Sequence, residues 1–317
     1  MLTCGIVILN YEDYKTTEFL LTHIKDCTEI EHIVVVDNAS PNDSYTYLKK
    51  YESDKVSVIQ SGKNGGYSLG NNFGARYLIK NFHPDIIGIA NPDTEFDGAF
   101  VGRIKAAFEY APDYALLTGI QHLPSGEIFY NPFWEEDTAL ANIEVLLLKI
   151  LIKSLRAWLS RKFTAAKTGR IYEEYRDKII NNPEPINEVW AVMGCLFFIR
   201  AKDFEAVGLF DENVFLYFEE YILACRLQRI GRKSGVVNDI TFVHAHRKPA
   251  NEIARINASK FANKCFEASY RYYFNNYMSD SWIVQRLFAF LRCLYKIKGF
   301  ILYTPKRILS KFRGKTH

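Results

Sequence analysis

Adjacent acids at Glu219 and Glu220 follow an aromatic run, Phe215-Leu216-Tyr217-Phe218. Acids in the first turn of a helix ordinarily complement its dipole. A carboxylate set against aromatic walls is also a suitable general base, because partial desolvation raises its proton affinity. A third acid, Asp93 in Asn91-Pro92-Asp93-Thr94, follows the buried-looking run Ile86-Ile87-Gly88-Ile89-Ala90. It either caps a helix expected over residues 99–110 or ligates a hard divalent ion that bridges phosphate oxygens and stabilises a departing diphosphate. The segment Asn64-Gly65-Gly66-Tyr67-Ser68-Leu69-Gly70-Asn71-Asn72-Phe73-Gly74 places glycines at a strand-to-helix turn. There, backbone amides can approach a phosphate or sugar closely, or the glycines simply let a helix pack tightly on a sheet. The spacing matches neither a P-loop nor G-x-G-x-x-G. His244 and His246, two apart, would share one face of a strand.

These residues need a scaffold, and the first 120 residues supply the pattern of one. Strand-like runs at 3–9, 32–36, 56–60, 86–90 and 115–119 alternate with helical patterns at 16–27, 44–51, 68–80 and 99–110. Such alternation predicts an α/β fold, a mostly parallel sheet flanked by helices. Polar residues close the early strands: Asn10, Asp37-Asn38, Asn64 and Asn91-Pro92-Asp93. Ligands of open α/β sheets bind at such carboxyl ends. Residues 121–189 read as an insertion, with an amphipathic helix over 145–163 whose Lys149, Lys153 and Arg156 form a cationic stripe. A single apolar strand is expected over 189–200.

The 317-residue chain holds 40 basic and 36 acidic residues, unevenly spread. Residues 282–317 carry nine Lys or Arg and no acid, and residues 145–170 carry seven and no acid. Without those two segments, 24 cations face 36 acids. An acidic body with two basic, apolar attachments disfavours a nucleic-acid binder and suits a catalytic body held at an anionic membrane surface. The tail from Trp282 interleaves bulky apolar and cationic residues, as a helix lying among lipid headgroups does; a packed terminal helix or a homo-oligomer contact is the alternative. The six cysteines lie far apart with no C-x-x-C pair, which suggests reduced thiols rather than a zinc knuckle. No apolar run reaches the roughly 20 residues of a membrane span. The expected location is cytoplasmic, peripheral on the inner face of the membrane.

Taken in order, Val7-Ile8-Leu9-Asn10-Tyr11, Val35-Val36-Asp37-Asn38-Ala39-Ser40, Asn64-Gly65-Gly66 through Asn71, Asn91-Pro92-Asp93, Gly194-Cys195, Gly208-Leu209-Phe210-Asp211-Glu212, Phe218-Glu219-Glu220 and Val243-His244 resemble the family 2 glycosyltransferases. The likeness is greatest to the rhamnosyltransferase-like branch of surface-polysaccharide synthesis. It covers roughly residues 3–275 and is weakest over 121–189. The resemblance implies a GT-A fold over residues 1–275, with a nucleotide-sugar half (1–120), the insertion (121–189) and an acceptor and catalytic half (190–275). Residues 276–317 would form a basic membrane-associating segment.

It further implies inverting transfer of a sugar, rhamnose or another hexose, from a dTDP- or UDP-linked donor to a glycan or lipid-linked oligosaccharide acceptor, with Mn²⁺ or Mg²⁺ as cofactor. By the same resemblance, Asp37 contacts the nucleobase beside Asn10 and Tyr11, while Asn64, Gly65, Gly66 and Asn71 shape the donor pocket. Asn91 and Asp93 match the metal-binding D-x-D, with Asn91 replacing its first aspartate. Glu219 and Glu220 match the E-D base motif, with Glu220 lengthened by a methylene. Gly194 and Cys195 lie against sugar or acceptor, and His244, or His246, meets the metal. Ile222 stands where relatives often carry another aspartate. A nucleotidyltransferase, or a non-catalytic sugar-nucleotide or membrane-binding partner, is the alternative function.

Overall fold

The computed structural model describes residues 1–129, 143, 181–182, 184–245, 252–279, 281–295 and 297. Two compact units emerge: Met1–Glu135 with Glu173–Tyr272, and Glu136–Tyr172 with Tyr273–His317. The helix expected over 145–163, His246 and the last twenty residues lie outside the described residues.

Among the described residues, the first unit is a nine-stranded sheet between two helical layers. Its elements run β1 (Cys4–Asn10), α1 (Tyr14–Ile24), β2 (His32–Asp37), α2 (Ser44–Lys49), β3 (Val56–Gln60), α3 (Gly66–Phe82), β4 (Ile86–Ala90), β5 (Thr94–Glu95), α4 (Gly98–Tyr110) and β6 (Tyr114–His122). They continue with β7 (Ile186–Val189), β8 (Leu196–Arg200), α5 (Ala201–Ala206), α6 (Glu219–Arg229), β9 (Lys233–His244) and α7 (Glu252–Tyr273). The strand order is β3-β2-β1-β4-β8-β6-β9-β5, with β7 also on β9. The parallel pattern expected from the strand–helix alternation holds for β3-β2-β1-β4. Beyond β4 the sheet is mixed, because β8 runs antiparallel to both β4 and β6.

The early strands are apolar on both faces because both faces are covered. Alternate residues of β1 point to opposite sides: Ile6 and Ile8 join the core under α1, α2 and α4, while Val7 joins that under α3, α5 and α6. Gly70 and Gly74 let α3 lie directly on β1, since a Cβ would stand 2.4 Å from Leu9 Cδ1 at the first and 2.5 Å from Val7 Cγ1 at the second.

One expected strand is two. The apolar run over 189–200 is interrupted at residues 190–195, so that β7 pairs with β9 and β8 with β4 and β6. Trp190, Ala191, Val192 and Cys195 are as buried as strand residues. Hydrophobicity alone therefore does not mark the break.

In the second unit, a helix over 282–295 follows a π-helical turn, Phe274–Met278. Phe288 stacks on Phe274 at 3.6 Å between ring centroids, and Leu291 is buried on the same side. Trp282, Ile283, Leu287, Phe290 and Ile297 remain exposed. No helix among the described residues is long and apolar enough to cross a membrane.

Candidate active site

Parallel strands β1 and β2 end in register, with Asn10 opposite Asp37. Asp37 is fully buried and accepts four hydrogen bonds: from Asn10 Nδ2 (2.8 Å), Ser40 N (3.0 Å), Ser40 Oγ (2.6 Å) and Gln60 Nε2 (3.1 Å). Thr17 Oγ1 donates to Asn10 Oδ1 at 2.9 Å, fixing the amide that faces Asp37. Tyr11 stands exposed beyond this cluster. A direct contact between Asp37 and a base would displace one of the internal donors.

Asn38 joins this strand end to the glycine turn. Its Nδ2 donates to Asn64 Oδ1 (3.2 Å) and Gly66 O (3.1 Å), and its Oδ1 accepts from Ser61 Oγ (3.0 Å) and Gly65 N (3.4 Å). Gly66 has φ +78°, and a Cβ there would stand 2.0 Å from Phe215 O, so no other residue fits. Asn71, one turn into α3, donates to Tyr67 O at 3.1 Å, while its buried Oδ1 has no hydrogen-bond partner among the described residues.

At the next strand end, Asn91 and Thr94 close a tight turn through Thr94 Oγ1 and Asn91 O (2.7 Å). Short strand β5 pairs with β9, placing Thr94 opposite His244. Asp93 Oδ1 then lies 3.2 Å from His244 Nε2. The helix that follows is capped by Asp97, which accepts from Phe100 N at 2.9 Å; Asp93 is therefore not the cap. Behind His244, Gln121 Nε2 lies 3.3 Å from Nδ1, and Cys195 Sγ donates to Gln121 Oε1 at 3.5 Å. Burial pushes the Cys195 thiol up to about 12, with both Glu220 and Asp93 adding to the effect. The thiol stays protonated near neutral pH and serves as a donor.

The paired acids open α6 after a strained turn. Tyr217 and Phe218 both adopt left-handed backbone, φ +71° and +69°, a conformation uncommon for bulky residues that costs on the order of 1–3 kcal/mol each. Phe218 packs on Tyr221, Phe266 and Tyr270, and Ser269 Oγ donates to Leu216 O at 2.8 Å. Glu220 Oε1 accepts from Gly194 N at 3.1 Å, and a Cβ on residue 194 would meet that oxygen at 2.6 Å. Tyr67 donates its hydroxyl to Gly194 O.

Glu219 is buried, and its Oε2 has no hydrogen-bond partner among the described residues. Burial and then the Glu220 charge push its carboxyl well above the usual range. Burial also raises Glu220, restrained by its own amide and that of Gly194. Burial raises the Tyr67 hydroxyl well above its ordinary value, aided by Glu220 and Glu219. Ile222, at the position where the resemblance places an aspartate in many relatives, is core.

The two halves of the site meet at one dipeptide. Asn91 N donates to Cys195 O at 2.7 Å, so residues 194 and 195 touch the Asp93 turn, the His244 network and Glu220 together. A carboxylate and an imidazole side by side can serve a divalent cation, the carboxylate oxygen suiting Mn²⁺ or Mg²⁺ and the imidazole nitrogen Mn²⁺ rather than Mg²⁺. The described residues hold no group of three or more His, Cys, Asp or Glu suited to a metal. A two-donor set fits an ion that shares its coordination with phosphate oxygens and water.

Residues 5–202 match the model of glycosyl transferase family 2. The chain belongs to that family. It is 24% identical over 274 residues to the low-salt glycan biosynthesis hexosyltransferase Agl10 of Haloferax volcanii, covering 85% of this chain and 71% of that one. Among solved structures it resembles GalNAc-T7 with UDP, GalNAc and Mn²⁺ (TM-score 0.54, 12% identity), covering 96% of this chain and 58% of the other. It also resembles the mannosyltransferase PcManGT of Pyrobaculum calidifontis with GDP-Man and Mn²⁺ (TM-score 0.53, 13% identity), covering 99% of this chain and 84% of the other. At these identities the likeness is one of fold, GT-A.

Sequence reasoning missed Gln121, Tyr67 and Asn38 as parts of the candidate site. Gln121 carried a usable signal, a polar residue near the end of β6, but that strand was expected to stop at 119. Tyr67 and Asn38 act through contacts 127 and 28 residues away, to Gly194 and Gly66.

Proposed function

We propose that the protein transfers a hexose, with inversion, from a nucleoside-diphosphate sugar to a hydroxyl of a glycan acceptor carried on a lipid. The observation that carries this reading is the Gly194-Cys195 joint, which couples the Asp93–His244 pair to Glu220. Asp93 and His244 would hold Mn²⁺ or Mg²⁺, and the ion, when bound, offsets the charge of a departing diphosphate. Mn²⁺ in both solved relatives supports this.

Glu220 takes the proton of the acceptor hydroxyl as that oxygen bonds to the anomeric carbon and the bond to the diphosphate breaks. Burial gives Glu220 the raised proton affinity a base needs, and the Gly194 amide aims its carboxylate. Burial beside Glu220 favours the protonated form of Glu219, which limits the negative charge next to the base. Asn10, Asp37, Asn64, Gly65, Gly66 and Asn71 frame the donor pocket, with Tyr11 at its rim. The donor is a UDP- or dTDP-linked hexose or deoxyhexose such as rhamnose. The relative named for glycan biosynthesis supports the hexose and the glycan.

Residues 1–275 form the catalytic body and 276–317 its attachment. The helix over 282–295 buries Phe288 and Leu291 but leaves Trp282, Ile283, Leu287 and Phe290 exposed. With a cation-rich, acid-free tail, this face suits an anionic bilayer on the cytoplasmic side.

A thermal-shift panel of UDP-, dTDP- and GDP-sugars, with and without Mn²⁺, tests the donor and the ion. Saturating ligand at 100 times its Kd should add about 2.7 kcal/mol, and chelation should abolish the shift. No response to any sugar nucleotide would overturn the reading.

A further inference from the structure

The family match ends at residue 202, yet the exposed surface beside Glu219 and Glu220 is built from residues beyond it. Tyr217, Phe261 and Phe266 are 36%, 52% and 46% exposed, although each is in contact with another aromatic ring. Phe261 meets Phe215 edge-on at 5.6 Å and 90°, while Phe266 meets Tyr217 at 5.9 Å and 63° and stacks on Tyr270 at 6.1 Å and 30°. These contacts hold each ring in place and leave part of it open. Tyr217 sits on the strained backbone that opens α6, and Glu219 is among the groups that raise its hydroxyl, after burial and Cys265. The strain therefore turns an aromatic side chain outward next to the acid pair. Asn263 and Lys264, exposed between the two phenylalanines in sequence, offer hydrogen-bonding groups on the same helix.

We infer that Tyr217, Phe261 and Phe266 form a shelf on which a pyranose ring of the acceptor stacks by its C–H face. The inference rests on Glu220 being the base for the acceptor hydroxyl, which requires the ring bearing that hydroxyl to lie against the surface flanking Glu220. A sugar ring has an apolar face and a polar rim, which matches pinned aromatic faces interspersed with amide and ammonium groups. An alkyl chain would gain nothing from Asn263 and Lys264.

Saturation-transfer NMR on the full chain tests this with methyl glycosides of glucose, galactose, mannose and N-acetylglucosamine, and with octyl β-glucoside as the alkyl probe. The expected result is saturation of the ring C–H protons of at least one methyl glycoside. Phe266→Ala should weaken that glycoside about tenfold, the equivalent of about 1.4 kcal/mol, and Phe266→Tyr should stay within about twofold of wild type. Should Phe266→Ala fail to fold, Phe261→Ala, on the exposed side of α7, carries the same expectation. Saturation confined to the octyl chain, or no saturation of any methyl glycoside, overturns the shelf, as do alanine variants that bind like wild type. If these fail while sugar nucleotides still shift the melting temperature, only the shelf falls. If sugar nucleotides fail as well, the transferase reading falls with it.

Discussion

Asp37 and the Glu219–Glu220 pair are both shielded carboxylates within one unit, and they are furnished in opposite ways. Four donors converge on Asp37, whereas Glu219 Oε2 has none and Glu220 receives the Gly194 amide. Donors stabilise the ionised form, and burial without them stabilises the protonated form. The first arrangement ties two strand ends together through one carboxylate. The second makes groups whose proton affinity burial raises above that of an ordinary glutamate. Position at a strand or helix terminus does not separate the two; the number of donors does.

The contrast breaks most visibly at Glu220. Glu220→Gln should lower kcat by about 10²–10⁴-fold while thermal shifts with the sugar nucleotide persist; comparable turnover would remove the base role. Asp37→Ala should act on stability instead. It strands the donors of Asn10, Ser40 and Gln60, at roughly 3 kcal/mol in total, read as a lower urea midpoint with an unchanged slope. Gly194→Ala should reduce kcat about tenfold, because its Cβ displaces the Glu220 carboxylate by an amount sufficient to disturb proton transfer.

The smallest effect concerns pH. Glu219 and Glu220 are raised above the ordinary 4.5 in the folded chain, so above that pH the folded state binds more protons than the unfolded one. Stability must therefore fall as pH rises from about 4.5 through the folded values. Glu219→Gln should flatten that slope in urea titrations across the pH range, and an unchanged slope would show that Glu219 is not held protonated. The acidic limb of the kcat profile should likewise lie above that of an ordinary glutamate, with Tyr67, Tyr217 and Cys195 as the titratable neighbours that shape it.

The scaffold was legible in sequence because strands β1 to β4 are continuous apolar runs ending in polar residues, and burial on both faces demands that pattern. Asp93 was placed at a strand end for the same reason. Two competing aspartates could fill the cap role there, and only geometry assigns it to Asp97. The break between β7 and β8 was invisible, since a loop buried between the acid pair and the sheet is as apolar as a strand. The left-handed turn at Tyr217 and Phe218 was equally hidden. It is held by Phe266, Ser269 and Tyr270, some fifty residues later in the chain, and no local pattern encodes a contact of that span.

The peptide between β7 and β8 has its amide committed to one acid, its carbonyls to Tyr67 and Asn91, and its thiol to the glutamine behind the histidine. On the proposed reading, a rearrangement of that loop cannot alter sugar selectivity alone. Libraries randomised there to change which sugar is accepted should return clones whose pH optimum has shifted in step, so selecting for both traits at once will recover more usable catalysts than screening either in isolation.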